Sequence, residues 1–464
     1  MNGPGDPFAG CEAVSLETVL ALRDTRIRWQ GKLRAHYQGP LITLSLNIPG
    51  PYKRFPLGDR CFEEAQDALR VRLEAEGIPV LEEAVLVDPG GYTAFWALRK
   101  SLDPREIKGL ACALEAQHPA GRLFDLDVFS AQGDQISRSA LGKAERCCFV
   151  CGGSAFACAH SRAHALPEIQ AAVITLIQGF LLGKLEDRIA AAAVQALMGE
   201  LAVTPKPGLV DRHNCGAHKD MDFFTFIDST SALLPYFRAC AAAGFQQYES
   251  PQRLFADLRR QGKIAEIAMK RATRGVNTHR GIIFSLGILS GAYGRLYRTQ
   301  ERPSLEDLMT LCRDMTAGVL GDFSPDKPPQ NCSHGELLFR RYGMTGVRGE
   351  AAAGFPAVCQ GAYPWFRRLL EAGHSRNDAG LGAFLSLLAC TDDTALAHRA
   401  DRGVLRRIQG ELRDFLSSDP PVEAIQRKAA DLDRDFIAQG ISAGGCADLL
   451  GVTLFLYALN THKT

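Results

Sequence analysis

No run of uncharged residues in this 464-residue chain is long enough to cross a bilayer. The longest near its middle, Ile169–Gly183, has 15 residues and is interrupted by Gln170, Thr175 and Gln178. A spanning helix needs ~20 mostly apolar residues. The first ten residues lack a basic segment and an apolar one, so no secretory signal is expected and the cytoplasm is the expected compartment. An excess of one charge is missing as well. There are 53 Lys+Arg against 52 Asp+Glu, and residues 1–165 hold 19 basic and 20 acidic groups. This balance excludes the basic footprint of a general nucleic-acid binder, so neither nucleic acid nor membrane is expected as a partner. A local phosphate pocket is still allowed. No Pro/Ser-rich linker and no repeat of 20–50 residues is present. With 46% hydrophobic and 23% charged residues, disorder is excluded, and the length predicts two or three domains.

The texture changes once. Up to about residue 145 helical and extended patterns mix. Leu16–Tyr37, Arg60–Glu76 and Leu102–Gln117 have helical spacing. Leu41–Ile48 alternates apolar with Thr, Ser and Asn, as a half-buried strand does. Pro79–Val87 and Tyr92–Leu98 read as strands around Pro89-Gly90-Gly91, and Leu123–Phe129 is a short apolar run broken by two aspartates. After Ala165 long Ala/Leu-rich stretches take over, beginning with Glu168–Leu182 and Leu185–Leu201. The prediction is an α+β domain followed by a larger all-α domain, with the boundary near Pro167.

Asp125-Leu126-Asp127 is the sharpest chemical signal of the first part. On a strand, residues i and i+2 share a face. Two adjacent carboxylates repel unless a cation lies between them, and Mg²⁺ accepts such a pair together with substrate phosphate oxygens. Lys53, in the turn Asn47–Lys53, and Arg122 are candidate phosphate contacts. Of the 14 cysteines, ten are scattered and read as reduced thiols; four fall within Cys147–Cys158. Cys148-x2-Cys151-x6-Cys158, with His160 and His164 following, fits a tetrahedral Zn²⁺ knuckle, and Gly152-Gly153 permits its turn. His164 is preferred as fourth ligand, because His160 would leave one residue between ligands. Together the segments 44–53, 118–129, 136–142 and 147–164 resemble the citrate lyase holo-acyl-carrier-protein synthase family, the phosphoribosyl-dephospho-CoA transferases. The resemblance spans about residues 13–170, within an expected domain of residues 1–170. It implies a nucleotidyltransferase-like domain that acts on a serine of the lyase's acyl carrier subunit and releases pyrophosphate.

In the second part Thr204–Asp222 cannot be helix interior, since Pro205 and Pro207 sit two apart. Lys206, Arg212 and Lys219 suit a polyphosphate. Asp220 and Asp222 suit Mg²⁺ on that polyphosphate, or one of them a base, although Asp222 also reads as a helix cap. Asn277 and His279 lie in a second polar loop, Arg274–Gly281. Glu350 follows in Gly346–Glu350, and Thr391–Thr394 with His398-Arg399 forms a weaker cluster. Ser442, Gly444 and Gly445 open the last helix, where free backbone N–H groups suit an anion. These loops resemble the triphosphoribosyl-dephospho-CoA synthases over about residues 175–460, within an expected domain of residues 175–464. That resemblance implies ATP and 3′-dephospho-CoA as substrates and adenine as the leaving group. One departure stands in the loop: His213 and Cys215 interrupt an expected Asn-rich run.

The expected whole is a fused enzyme that builds the citrate lyase prosthetic group and installs it. Asp125, Asp127, Asp220, Asp222 and Glu350 are its candidate catalytic groups. Two alternatives stay open from the sequence: the equivalent pathway of malonate decarboxylase, and an ADP-ribosyl hydrolase-like enzyme with an inert first module.

Overall fold

The computed structural model describes residues 7–8, 10–246, 248–323, 330 and 332–461. The chain divides into two compact units, Met1–Gly183 and Lys184–Thr464.

The first unit opens with α1 (Leu16–Tyr37), capped by Ser15, whose hydroxyl accepts from the Thr18 N–H at 3.1 Å. Strand β1 (Leu41–Leu46), α2 (Pro56–Ala75), β2 (Val80–Asp88), β3 (Gly91–Leu98), α3 (Pro104–Gln117) and β4 (Phe124–Phe129) follow. The four strands make an antiparallel sheet in the order β2-β3-β1-β4. The strand expected to be half-buried is β1, and it lies in the interior of the sheet. Leu41, Ile42, Thr43 and Leu44 are all buried, and the Thr43 hydroxyl is met by Gln30 Nε2 at 3.1 Å. The polar alternation that marked β1 therefore serves a buried hydrogen bond, not a solvent face. Every residue of β3 is buried, so helices cover both of its faces.

β4 is an edge strand whose outward backbone groups are already engaged. The Leu126 N–H donates to Glu115 Oε1 at 2.9 Å, and Lys108 Nζ donates to the Leu126 carbonyl at 2.6 Å. The Ile136 N–H donates to the Val128 carbonyl at 2.8 Å, and the Phe124 N–H donates to Gly121. A short helix, α4 (Ala155–Ser161), precedes α5 (Leu166–Ala202).

Two helices were expected where α5 runs unbroken for 37 residues. A glycine inside a helix costs only about 1 kcal/mol relative to alanine. Leu181, Leu185 and Ile189, buried around Gly183-Lys184, offset it. The unit division falls inside this helix. The 15-residue uncharged run also sits in it. The most apolar 18-residue window of α5 has mean hydropathy 1.4 and is 28% buried, so by length and composition this helix meets a criterion that the uncharged run did not. Core helices of soluble proteins meet the same criterion.

The second unit is helical among the described residues. It comprises α6 (Phe223–Phe245), α7 (Pro251–Ala272), α8 (Arg280–Tyr297), α9 (Leu305–Thr316), α10 (His334–Tyr342), α11 (Gly346–Ala353), α12 (Tyr363–Glu371), α13 (Arg376–Cys390), α14 (Thr394–Arg399), α15 (Arg402–Ser417), α16 (Val422–Gln439) and α17 (Gly444–Thr461). The short α10, α11 and α14 lie where no helix was expected from the pattern. Small residues let α6 and α8 cross closely: a Cβ on Gly244 would lie 2.0 Å from the Gly291 carbonyl oxygen. Ala-rich composition thus gives a tightly packed scaffold in which polar loops are the exception.

Candidate active sites

β1 pairs Ser45 with Asp125 and Thr43 with Asp127, which fixes both carboxylates on one face of β4. Both are half-buried, while Leu126 between them is fully buried. Burial and the neighbouring Asp125 push the Asp127 carboxyl above the usual range, although Gln135 Nε2 donates to it at 2.7 Å. Arg146 Nη2 lies 2.8 Å from Asp125 Oδ1 and 2.8 Å from Glu115 Oε1. Arg138 pairs with the other oxygen of Glu115. Arg122 donates through Nε to the Cys147 carbonyl, stacks 4.0 Å from the centre of the Phe149 ring, and keeps Nη1 buried without a partner. Of these three arginines Arg146 meets the aspartate pair directly, Arg138 shares Glu115 with it, and only Arg122 was expected from the sequence. Lys53 is turned back onto its own loop, donating to the Ile48 carbonyl at 2.5 Å, and burial lowers its pKa.

In the second unit two cavities of about 610 and 650 Å³ share Asn277, Arg280, Gly281, Gly346, Val347, Thr394 and Asp448. Of the expected residues, Lys206, Asp220, Asn277, His279, Ser442, Gly444 and Gly445 line the first cavity. Arg212, Lys219, Asp222 and Glu350 line neither. The reasons are local. Arg212 Nη2 donates to Asn377 Oδ1 at 3.1 Å, which ties the loop to α13. Lys219 is exposed. Asp222 caps α6 in a box with Thr225, accepting from the Thr225 N–H at 2.8 Å, so its carboxylate is engaged in starting a helix. Glu350 accepts from the Ala357 N–H at 3.1 Å, and burial raises its pKa.

Lys206 is fully buried and forms an ion pair with Glu200, also donating to the Glu200 carbonyl at 2.9 Å. A buried ammonium needs such a partner, so the expected polyphosphate contact is already committed to a carboxylate. Its backbone N–H donates to the buried Asp211, which also accepts from the N–H groups of His213 and Asn214. Asn214 Nδ2 reaches Asp433 at 3.3 Å, while His213 and Cys215 are exposed. In the interrupted run, the retained asparagine holds the loop.

His218 Nε2 lies 2.8 Å from Ser442 Oγ, and its Nδ1 lies 3.8 Å from Asp220 Oδ1. Burial lowers the His218 pKa, leaving a neutral imidazole at neutrality. His279 Nδ1 lies 2.7 Å from Ser229 Oγ, which in turn accepts from Thr278. Burial and the Lys206 charge push His279 down to about 3, and its Nε2 is buried without a partner.

Two buried carboxylates not among the expected site residues stand at the start of α17. Asp393 accepts from the Leu396 N–H at 2.9 Å and from the Cys446 N–H at 2.8 Å. Part of the α17 N-terminus expected for an anion is thus already met by an acid. Asp448, one helical turn into α17, lies where both cavities meet. Its pKa is pushed well above the carboxylate range by burial, then by Glu200 and Asp393. Gly281 makes room for it: a Cβ there would lie 1.8 Å from Asp448 Oδ2. The DDTALAHR segment and the last helix were noticed in the sequence, but an acid within an apolar helix gives no signal of its own.

In the first unit Cys148, Cys151, Cys158 and His164 bring their ligand atoms within 4.8 Å of one another. Hydrogen bonds, chiefly from the Gly153 backbone, draw the Cys151 thiol down to about 6.

Comparison with known proteins gives the two units separate relations. The family described as apo-citrate lyase phosphoribosyl-dephospho-CoA transferase matches residues 14–180. The family described as ATP:dephospho-CoA triphosphoribosyl transferase matches residues 186–464. Protein CitXG of Haemophilus influenzae is 33% identical over 456 residues, covering 95% of this chain and 96% of the relative. Protein CitXG of Leuconostoc mesenteroides is 34% identical over 98% of this chain and 99% of the relative. A probable 2-(5″-triphosphoribosyl)-3′-dephosphocoenzyme-A synthase of Streptococcus mutans is 38% identical over 57% of this chain and 93% of its own length. The chain belongs to the fused family of citrate lyase prosthetic-group transferases, a phosphoribosyl-dephospho-CoA transferase followed by a triphosphoribosyl-dephospho-CoA synthase.

Proposed function

We propose that the second unit joins ATP to 3′-dephospho-CoA and expels adenine. The first unit then transfers the product to a serine of the citrate lyase acyl carrier subunit, with pyrophosphate as leaving group. The observation that carries this reading is the pair of cavities meeting at Asp448. A reaction between two large nucleotides needs two adjoining chambers with the chemistry at their junction.

Each step balances. The bond between the ATP ribose C1′ and the adenine nitrogen breaks, and a bond from C1′ to the acceptor ribose 2′-oxygen forms. Asp448, whose proton burial holds more tightly than an ordinary carboxyl's, supplies the proton that the departing adenine needs. His218, neutral and oriented by Asp220, takes the proton of the attacking hydroxyl. Arg280 and Arg399, which line the cavity, suit the retained triphosphate. In the first unit the serine hydroxyl gives up its proton to solvent as its oxygen bonds to the inner phosphorus, and the bond from that phosphorus to pyrophosphate breaks. Arg122, Arg138 and Arg146 counter charge on the phosphates.

Mg²⁺ fits Asp125 and Asp127, because each disfavours the other's charge and a cation relieves both; bound, it would neutralise phosphate charge. Asp220 offers a single carboxylate at the cavity, with Asp222 committed to the α6 cap. The nucleotidyltransferase-like character of the first unit rests on this aspartate pair. The cytoplasm is the compartment in which ATP, 3′-dephospho-CoA and reduced thiols would meet.

Mass spectrometry of the full chain with ATP, 3′-dephospho-CoA and apo carrier tests the reading. Adenine is expected only when 3′-dephospho-CoA is present, and the carrier gains the mass of the phosphoribosyl-dephospho-CoA group. Adenine released at the same rate without the acceptor would identify a hydrolase instead.

A further inference from the structure

The cysteine-rich segment takes no part in either transfer, yet its geometry is that of a closed metal site. We propose that Cys148, Cys151, Cys158 and His164 bind one Zn²⁺, and that this ion fixes the segment that holds Arg122 and sets Arg146 against Asp125.

The four ligand atoms lie within 4.8 Å of one another, and the Cys151 and Cys158 sulfurs are 3.5 Å apart. Tetrahedral zinc with Zn–S near 2.3 Å places its sulfurs about 3.8 Å apart. The turn between the first two ligands is built for thiolates. The Val150 N–H points at Cys148 Sγ at 3.4 Å, and Gly152 has φ +72°. His164 Nε2 is buried without a hydrogen-bond partner, while its Nδ1 faces Glu168 at 3.5 Å. A free inner nitrogen with a carboxylate behind the outer one is how a metal-bound imidazole is oriented. Cys147, one residue away, is exposed and outside the cluster. Cysteine density alone therefore does not account for the convergence. Four protein ligands leave no open position, which makes the ion structural.

The same segment carries the arginines. The Cys147 carbonyl and the Phe149 ring hold Arg122. Arg146 is two residues before Cys148, and its carbonyl accepts from the Ala155 N–H at 2.9 Å, at the start of the helix that bears Cys158. Closing the knuckle fixes that backbone, and with it the guanidinium paired to Asp125.

Elemental analysis of the full chain produced with zinc should find about one Zn per chain. Cys147→Ser should keep it, Cys158→Ser should lose it, and Cys158→His should retain it. With preformed triphosphoribosyl-dephospho-CoA, Cys158→Ser should raise KM in carrier attachment by about tenfold or more. Cys158→His should restore KM, and adenine release should be unchanged throughout. If Cys158→Ser is insoluble, the wild-type chain answers: a thiol reagent should release zinc in step with modification of three cysteines. Zinc below about 0.1 per chain, or full zinc in Cys158→Ser, would overturn the metal site. An unchanged KM after zinc removal would overturn the positioning role.

Discussion

Asp125-Leu126-Asp127 in the first unit and Asp220-Met221-Asp222 in the second share one spacing, and the backbone decides what it means. On β4 the period of two sets both carboxylates on one face, where burial and the neighbouring Asp125 raise the Asp127 pKa. Before α6 the second aspartate turns to the Thr225 N–H as a cap, and only the first reaches a cavity. The units also handle acid differently. In the first, Glu115 and Asp125 are matched by arginines. In the second, Asp448 and Asp393 are buried and their pKa values rise. One spacing thus sets two carboxylates side by side on extended backbone and divides them at a helix start.

The comparison can be broken by substitution. The largest effect is expected at Asp448. Asp448→Asn should lower adenine release by about 10²–10⁴-fold, the range of a lost general acid, while attachment of the preformed group proceeds normally. In the wild type, adenine release should fall as pH rises through the raised Asp448 value, and product analysis across pH checks this. Stability shares the sign. A carboxyl whose folded value lies above its unfolded one stabilises fully below the unfolded value, and that contribution is lost as pH climbs through the folded value. Asp448→Asn should therefore flatten the fall in melting temperature as pH rises above the ordinary carboxylate range.

Asp127→Asn should cut carrier attachment by about 10²–10³-fold, followed by the carrier's mass shift, and leave adenine release intact. Intact attachment would reduce this aspartate pair to a polar strand edge. Asp220→Asn should lower adenine release by about tenfold, through loss of His218 orientation, whereas Asp222→Asn should leave the rate near normal. Equal losses in the two variants would restore Asp222 to the site. The smallest effect is on stability. Asp222→Ala should lower the melting temperature by about 2 °C, and Asp222→Asn by less, because asparagine also caps.

What the sequence revealed follows the reach of its signals. The strand pattern and period two placed Asp125 and Asp127 correctly on one face. Pro, Gly, His and Asn between apolar helices marked the loops that supply Lys206, Asn277, His279 and Ser442 to the first cavity. Orientation was not legible. Arg212 and Lys219 sit in the right loop with their charges directed elsewhere, and Lys206 was read without its partner Glu200. Glu200 and Asp448 lie inside apolar helices, where a lone acid looks like an ordinary solvated position. Arg138 and Arg146 meet Glu115 across more than 20 residues, a distance no local pattern spans.

The edge strand β4 carries one more consequence. Hydrogen-bonded growth of a sheet needs a row of idle amides and carbonyls to copy. Glu115, Lys108, Gly121 and Ile136 have taken both backbone groups of Leu126, the Phe124 N–H and the Val128 carbonyl. A strand arriving at this edge finds Leu126, between the two aspartates, closed to it on both sides. Pairing there would first have to displace Glu115 and Lys108, so contact on this flank falls to side chains.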